Sequence, residues 1–313
     1  MSVTQIQEEI LKLKQEKDVV ILAHYYQPIE IQEIADHLGG SLGLSRLANK
    51  VDTDYIIFAG VDFMAETASI LNQNKKVLIP NPESCCPMAA YLTVDKVKEF
   101  KANNPNLPVV VYVNSTAAVK AESDICCTSA NAVNVVKRIS SEFNAKAVLF
   151  GPDANLADYV EQKSGIKCIK MPEKGNCYVH SQLTIDDMEK IRIAYPKCEL
   201  LVHPECIREV RELADFVGST GQMYNRVKNN TTSENDFCIG TEIGLMERMA
   251  QDFPNKNFHL ISEKLICYNM KKNTIELMRY VLDNLDDPMF EVKVPPEIAK
   301  KALKPIEKML EYS

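Results

Sequence analysis

Three stretches of the 313-residue chain place polar side chains two residues apart at the end of an apolar run: His24 and Tyr26, Tyr112 and Asn114, His203 and Glu205. Residues i and i+2 of an extended segment point to one side, so each pair can act on one ligand. Imidazole and carboxylate carry protons, while phenol and carboxamide donate hydrogen bonds to oxygens that gain negative charge. A hydroxyl follows each of His24, Tyr112 and His203 after 17 residues, at Ser41, Ser129 and Thr220. A cysteine follows after 62 to 65 residues, at Cys86, Cys177 and Cys267; Cys85 adjoins Cys86, and spacing alone leaves both open there. There is no paired-cysteine zinc-ribbon motif and no ferredoxin run. One thiolate from each of three places suits a zinc ion with an open position or a [4Fe–4S] cluster with one iron lacking a protein ligand. Either metal would polarise a substrate hydroxyl, carbonyl or carboxylate.

The elements that position these groups also recur. The apolar runs at 19–26, 109–114 and 200–205 read as strands buried on both faces. Second strands at 54–60, 147–151 and 236–240 end in glycine, and third strands follow at 76–80, 166–171 and 257–261. Helical patterns fill the gaps, among them 29–38 and 207–216 before the hydroxyls and 42–50, 130–139 and 222–228 after them. In that place Ser41, Ser129 and Thr220 read as helix N-caps. The chain is therefore predicted to be α/β, with three pseudo-symmetric repeats of a small Rossmann-like parallel-sheet domain around a central active site. The repeats are set at residues 1–84, 85–172 and 173–269, with a helical, Lys-rich tail at 270–313 packing back on the first. Ligands gather at the carboxyl ends of parallel strands, and helix N-termini favour anions. Three units meeting around an axis would thus pool two imidazoles, two phenols, a carboxylate and three anion-binding corners.

Taken singly, a strand-end histidine is usually a hydrogen-bonded structural residue, a serine before a helix a cap, and an internal cysteine a small buried apolar group. Recurrence at equivalent places is what favours a site. Composition narrows the class. A net charge of −7 gives no reason to expect nucleic acid. No apolar run reaches the ~18 residues of a membrane span, and residues 1–18 form a charged amphipathic pattern, a surface helix and not a signal peptide. Ten cysteines without an export signal read as buried thiols or metal ligands in a cytoplasmic protein rather than as disulfides. Cys126, Cys127, Cys168, Cys198, Cys206 and Cys238 are read as structural.

The ordered motifs resemble the quinolinate synthase family of NAD biosynthesis. They are Ala23-His24-Tyr25-Tyr26-Gln27, Gly40-Ser41-Leu42, Cys86-Pro87-Met88-Ala89, Tyr112-Val113-Asn114-Ser115 and Cys127-Thr128-Ser129-Ala130-Asn131. They continue with Gly175-Asn176-Cys177-Tyr178-Val179-His180, His203-Pro204-Glu205-Cys206, Gly218-Ser219-Thr220, Gly240-Thr241-Glu242 and Cys267-Tyr268-Asn269-Met270. The resemblance implies a transferase-type condensation of iminoaspartate with dihydroxyacetone phosphate to quinolinate, phosphate and water. It implies a [4Fe–4S] cluster on Cys86, Cys177 and Cys267 with one open iron acting as Lewis acid, and it selects Cys86 over Cys85. It also implies a functional link to an L-aspartate oxidase or aspartate dehydrogenase, and no nucleic-acid or membrane partner. Tyr25 stands where the family commonly has Asn. Ile261 and Lys264 stand where some members carry cysteines, so a disulfide switch is not expected there.

On that footing Glu205 is the expected general acid/base, its pKa raised by a closed pocket, with His203 beside it. His24 and Tyr26 would move protons and orient the triose. Tyr112 and Asn114 would donate to carboxylate or enolate oxygens, and Ser41, Ser129 and Thr220 would hold carboxylates and phosphate. Competing readings are a hydro-lyase for another hydroxy acid, a zinc enzyme with three thiolate ligands, and a metal or redox sensor. The sensor leaves the histidine, tyrosine, asparagine and glutamate set unexplained.

Overall fold

The computed structural model of the chain describes residues 2–231 and 235–313. These fold as three separate four-stranded sheets, every strand pairing parallel. The first holds β1 (Val19–His24), β2 (His37–Gly39), β3 (Tyr55–Ala59) and β4 (Lys76–Leu78). The second holds β5 (Val109–Tyr112), β6 (Ile125–Cys127), β7 (Ala147–Gly151) and β8 (Lys167–Lys170). The third holds β9 (Glu199–Val202), β10 (Phe216–Val217), β11 (Asp236–Gly240) and β12 (Asn257–Leu260). The strand order repeats: β2-β1-β3-β4, β6-β5-β7-β8 and β10-β9-β11-β12. Helices flank all three sheets, so the fold is α/β in three Rossmann-like units.

That order explains where chemistry can sit. From the central strand the chain first turns to one edge and then crosses to the other side, so the connections part at the carboxyl ends of the two middle strands. A crevice opens there. His24 and Tyr112 end β1 and β5, and His203 directly follows β9. The central strands are valine- and leucine-rich because both faces are covered: β5 is buried along its whole length, and Ile21, Leu22 and Ala23 of β1 are fully enclosed.

Each sheet has one more strand than the sequence predicts. The helices Ile29–Ile34 and Arg208–Glu212 stop short of the hydrophobic pattern that follows them, and that remainder becomes the edge strands β2 and β10. With two or three residues each, β2, β6 and β10 are too short to show a period of two.

The amino-terminal helix Val3–Glu16 starts with a capping box between Ser2 and Gln5 and buries Ile6 and Ile10. It packs on the tail helix Ile275–Asp283, whose Met278, Val281 and Leu282 join the same core. The last helix, Pro296–Glu311, lies across β6, helix Ala117–Lys120 and helix Asp62–Leu71, so it spans the first and second units. Among the described residues, no helix is long and apolar enough to cross a membrane.

One cysteine pair departs from expectation. Cys198 and Cys238, buried in the third core, are joined by a disulfide across a Cα separation of 5.9 Å. They lie 40 residues apart in sequence, and adjacent strands bring them together. Cys126, Cys127, Cys168 and Cys206 are buried free thiols.

Candidate active site

A cavity of about 500 Å³ opens where the three units meet. All twelve side chains singled out in the sequence line it: His24, Tyr26, Ser41, Cys86, Tyr112, Asn114, Ser129, Cys177, His203, Glu205, Thr220 and Cys267. Cys85 is exposed and lies outside the lining.

The two strand-end histidines are set the same way. Tyr26 N–H donates to His24 Nδ1 at 3.1 Å, and Glu205 N–H donates to His203 Nδ1 at 3.3 Å. A ring nitrogen that accepts carries no proton, so in both rings the proton sits on Nε2. Burial holds both imidazoles down at about 3, helped by Lys271 at His24 and by His180 at His203. Both are therefore neutral hydrogen-bond donors at ordinary pH.

Glu205 differs from its expectation. Burial does press its carboxyl upward, but the neighbouring His203 and His180 outweigh that and hold it down at about 2. Its Oε2 accepts from His180 Nδ1 at 2.7 Å. Among the described residues its Oε1 is buried without a hydrogen-bond partner, and so is Asn114 Oδ1. Buried acceptors are nearly always paired, and each orphan costs roughly 1–3 kcal/mol. Two such oxygens in one cavity mark where a ligand would complete the bonding.

His180 and Thr241 stand within the ordered motifs, and the sequence assigns neither a role. His180 Nε2 is 2.9 Å from Thr241 Oγ1, which is 2.7 Å from the Tyr26 hydroxyl, which accepts from Thr220 Oγ1 at 3.0 Å. A continuous polar chain thus runs from Glu205 through His180 and Thr241 to Tyr26 and Thr220. The His180 and His203 rings stack with centroids 4.3 Å apart. The one available signal was position: His180 follows Cys177 by three residues and opens the short turn His180–Gln182. Burial pushes the hydroxyls of Tyr26 and Tyr112 up, and the Glu205 carboxylate pushes both further.

The hydroxyls are not the caps that the sequence suggests. Ser41 and Thr220 are the first residues inside their helices, behind Gly40 and Ser219, and Ser129 precedes the N-cap Asn131. Ser219 does the capping, with Gln222 completing a box. Ser41 and Ser129 thus line the cavity beside helix starts that favour anions, and Thr220, also lining it, gives its proton to Tyr26. Arg46 and Lys228 stand exposed at the cavity wall, and neither forms an ion pair among the described residues.

The chemistry of the donor set fits a thiophilic metal centre. Burial pushes the thiols of Cys86, Cys177 and Cys267 up; charge on Cys267 raises Cys86, and charge on Cys86 and Cys267 raises Cys177. Crowded buried thiols stay protonated alone and give up protons when a metal binds. A second donor group is tighter: one ligand atom each from Cys177, His180 and Glu205 lie within 4.8 Å of one another.

The sequence profile of the family described as quinolinate synthetase A protein matches residues 8–311. The quinolinate synthase of Pyrococcus horikoshii is 48% identical over 306 residues, covering 98% of both chains. That of Alkaliphilus metalliredigens is 47% identical over 311 residues and 99% of both chains. That of Thermotoga maritima is 47% identical over 304 residues, 97% of this chain and 98% of its own.

Proposed function

The chain belongs to the quinolinate synthetase A family, an enzyme family of NAD biosynthesis, and we propose that it condenses iminoaspartate with dihydroxyacetone phosphate to quinolinate, phosphate and water. The observation that carries this reading is the single cavity in which three thiols, two neutral imidazoles, two orphaned buried oxygens and three hydroxyls at helix starts converge. Cys86, Cys177 and Cys267 would hold a [4Fe–4S] cluster. Its iron without a protein ligand would supply Lewis acidity toward a substrate oxygen or nitrogen.

The protein's own groups divide the remaining work. Ser41, Ser129 and Thr220 bind carboxylates and phosphate at helix starts. His24 and His203 donate from Nε2 to substrate oxygens, and Tyr112 adds a third donor. Asn114 Oδ1 accepts from the imine nitrogen or its conjugate acid. Glu205, ionised, takes a substrate proton on Oε1 while His180 steadies Oε2. The hydrogen bonds from Thr220 through Tyr26, Thr241 and His180 all point toward Glu205 and hold its carboxylate ionised and oriented. Holding two small reactants in register between three units supplies much of the rate.

The test is purification without oxygen, iron and sulfide counts, and assay with dihydroxyacetone phosphate and freshly generated iminoaspartate. About four irons per chain and quinolinate formation support the reading; a cluster with no quinolinate points to a hydro-lyase or sensor. The Cys177, His180 and Glu205 group suggests a second reading, a single zinc ion there. It requires His180 to leave a hydrogen bond, since both its ring nitrogens are engaged. Zinc bound in place of iron, with no iron uptake on reconstitution, would establish it.

A further inference from the structure

In each unit a glycine at the end of the second long strand, or just past it at Gly60, is followed two residues later by an acid: Asp62 after Gly60, Asp153 after Gly151, Glu242 after Gly240. Each acid lies 24 or 25 residues before its unit's cavity cysteine and accepts that cysteine's backbone N–H. Cys86 N donates to Asp62 Oδ1 at 3.1 Å, Cys177 N to Asp153 Oδ2 at 3.0 Å, and Cys267 N to Glu242 Oε1 at 3.3 Å. The same carboxylates also take a backbone N–H from the helix that follows: Phe63 at 2.7 Å, Leu156 at 2.7 Å and Gly244 at 2.8 Å.

A second link runs the opposite way. An N–H at the helix start donates to the carbonyl two residues before the cysteine: Asp62 to Ser84 at 2.8 Å, Ala154 to Gly175 at 2.7 Å, Ile243 to Leu265 at 3.0 Å. Each cysteine loop is thus clipped twice to a helix N-terminus. The close approach is visible at Gly175, where a Cβ would fall 2.0 Å from the Pro152 carbonyl oxygen.

We propose that Asp62, Asp153 and Glu242 are positioning residues for the three cavity thiols, each carboxylate fixing where its cysteine enters the cavity. Helix capping alone does not account for them. A hydroxyl caps as well as a carboxylate, and glutamate is not among the favoured N-caps. At Asp153 and Glu242 the helix N–H and the cysteine N–H take different oxygens of the carboxylate, which a single hydroxyl does not offer, while at Asp62 both take Oδ1. The longer side chain, Glu242, stands in the unit where acid and cysteine are 25 rather than 24 residues apart. Asp153 and Glu242 are also fully buried, a cost that a serine cap would avoid. What the thiols hold rests on the cluster reading above; the clip itself does not.

The test is Asp153→Ser in the full chain. Serine keeps a cap for helix Ala154–Ser164 but cannot reach Cys177 N–H, so the far-UV melting temperature of the apoprotein should move by less than about 3 °C. Iodoacetamide should label Cys177 about tenfold faster in the apoprotein, as loss of a charge-assisted hydrogen bond implies, with Cys86 and Cys267 unchanged. After iron and sulfide reconstitution, chelator should strip iron faster from the variant. Asp62→Ser should shift labelling to Cys86 in the same way, a second chance should the first variant fold poorly. Faster labelling of all three thiols together, or of none, would overturn the proposal. Failure of the unsubstituted chain to take up a cluster would count against the cluster reading alone, because labelling of the apoprotein still decides the clip.

Discussion

His180 and Glu205 share a 2.7 Å hydrogen bond between two side chains that are each 2% exposed. Both line the cavity, and His180 spends its Nδ1 proton on Oε2, so it orients the carboxylate whose open oxygen meets the ligand. His180→Asn should therefore lower kcat by roughly tenfold, as loss of a hydrogen bond to a charged group implies, while KM moves less. Steady-state kinetics on protein with matched iron content checks it; an unchanged kcat would remove His180 from the mechanism.

Glu205→Gln should retain iron and lose turnover. The substitution keeps the shape and the hydrogen-bonding reach but replaces an acceptor-only group with one that also donates. Expected activity is below about 1% of the parent, in line with loss of a general base. A variant that still turns over would show that Oε1 accepts nothing in the reaction.

Acid should destabilise the protein over a definite window. His24 and His203 are held down at about 3 from the ordinary 6.5. Between those values the unfolded chain binds protons that the folded chain refuses, so stability is complete above pH 6.5 and falls as pH drops toward 3. Each histidine contributes a slope of roughly 1.4 kcal/mol per pH unit. Glu205, down at about 2 from 4.5, extends the loss in the same direction below pH 4.5. Denaturant midpoints at pH 7.5 and 5 should differ clearly, and His203→Gln should shrink the difference. The same midpoint shift in the variant would mean that other groups govern acid sensitivity.

Arg46 and Lys228 should act on capture rather than on turnover. Exposed cations beside a cavity raise the local concentration of anions, an effect that salt screens. The double alanine variant is expected to lose about tenfold in kcat/KM for the phosphate-bearing substrate at low ionic strength, and much less at high salt, with kcat little changed. A loss independent of salt would mean that the two side chains touch the bound substrate.

The repeat was legible in the sequence because it lay in spacing, which survives when side chains change. His24, Tyr112 and His203 are not all one residue type, yet each stands at the carboxyl end of a central strand whose apolar run is unmistakable. The edge strands were not legible: β2 and β10 hold three and two residues, and their pairing is imposed by the strand beside them. The caps were misjudged for a related reason. Thr220 and Ser219 are adjacent hydroxyl residues, and which one caps depends on a single backbone turn. The downward shift of Glu205 comes from His203 beside it and from His180, whose approach is a tertiary event that no local pattern announces. The pairing of Cys198 with Cys238 is likewise a product of strand order.

The cavity's walls come from three sheets, and its thiols from positions 86, 177 and 267. Each unit builds its own crevice, but no single unit encloses a volume. A growing chain would thus have two of its three thiols folded long before the third emerged, and the loop with Cys267 follows the last strand, β12. Whatever the thiols bind is expected to arrive after synthesis, when the third unit docks. That order would make docking of the third unit the step that completes the set of three thiols.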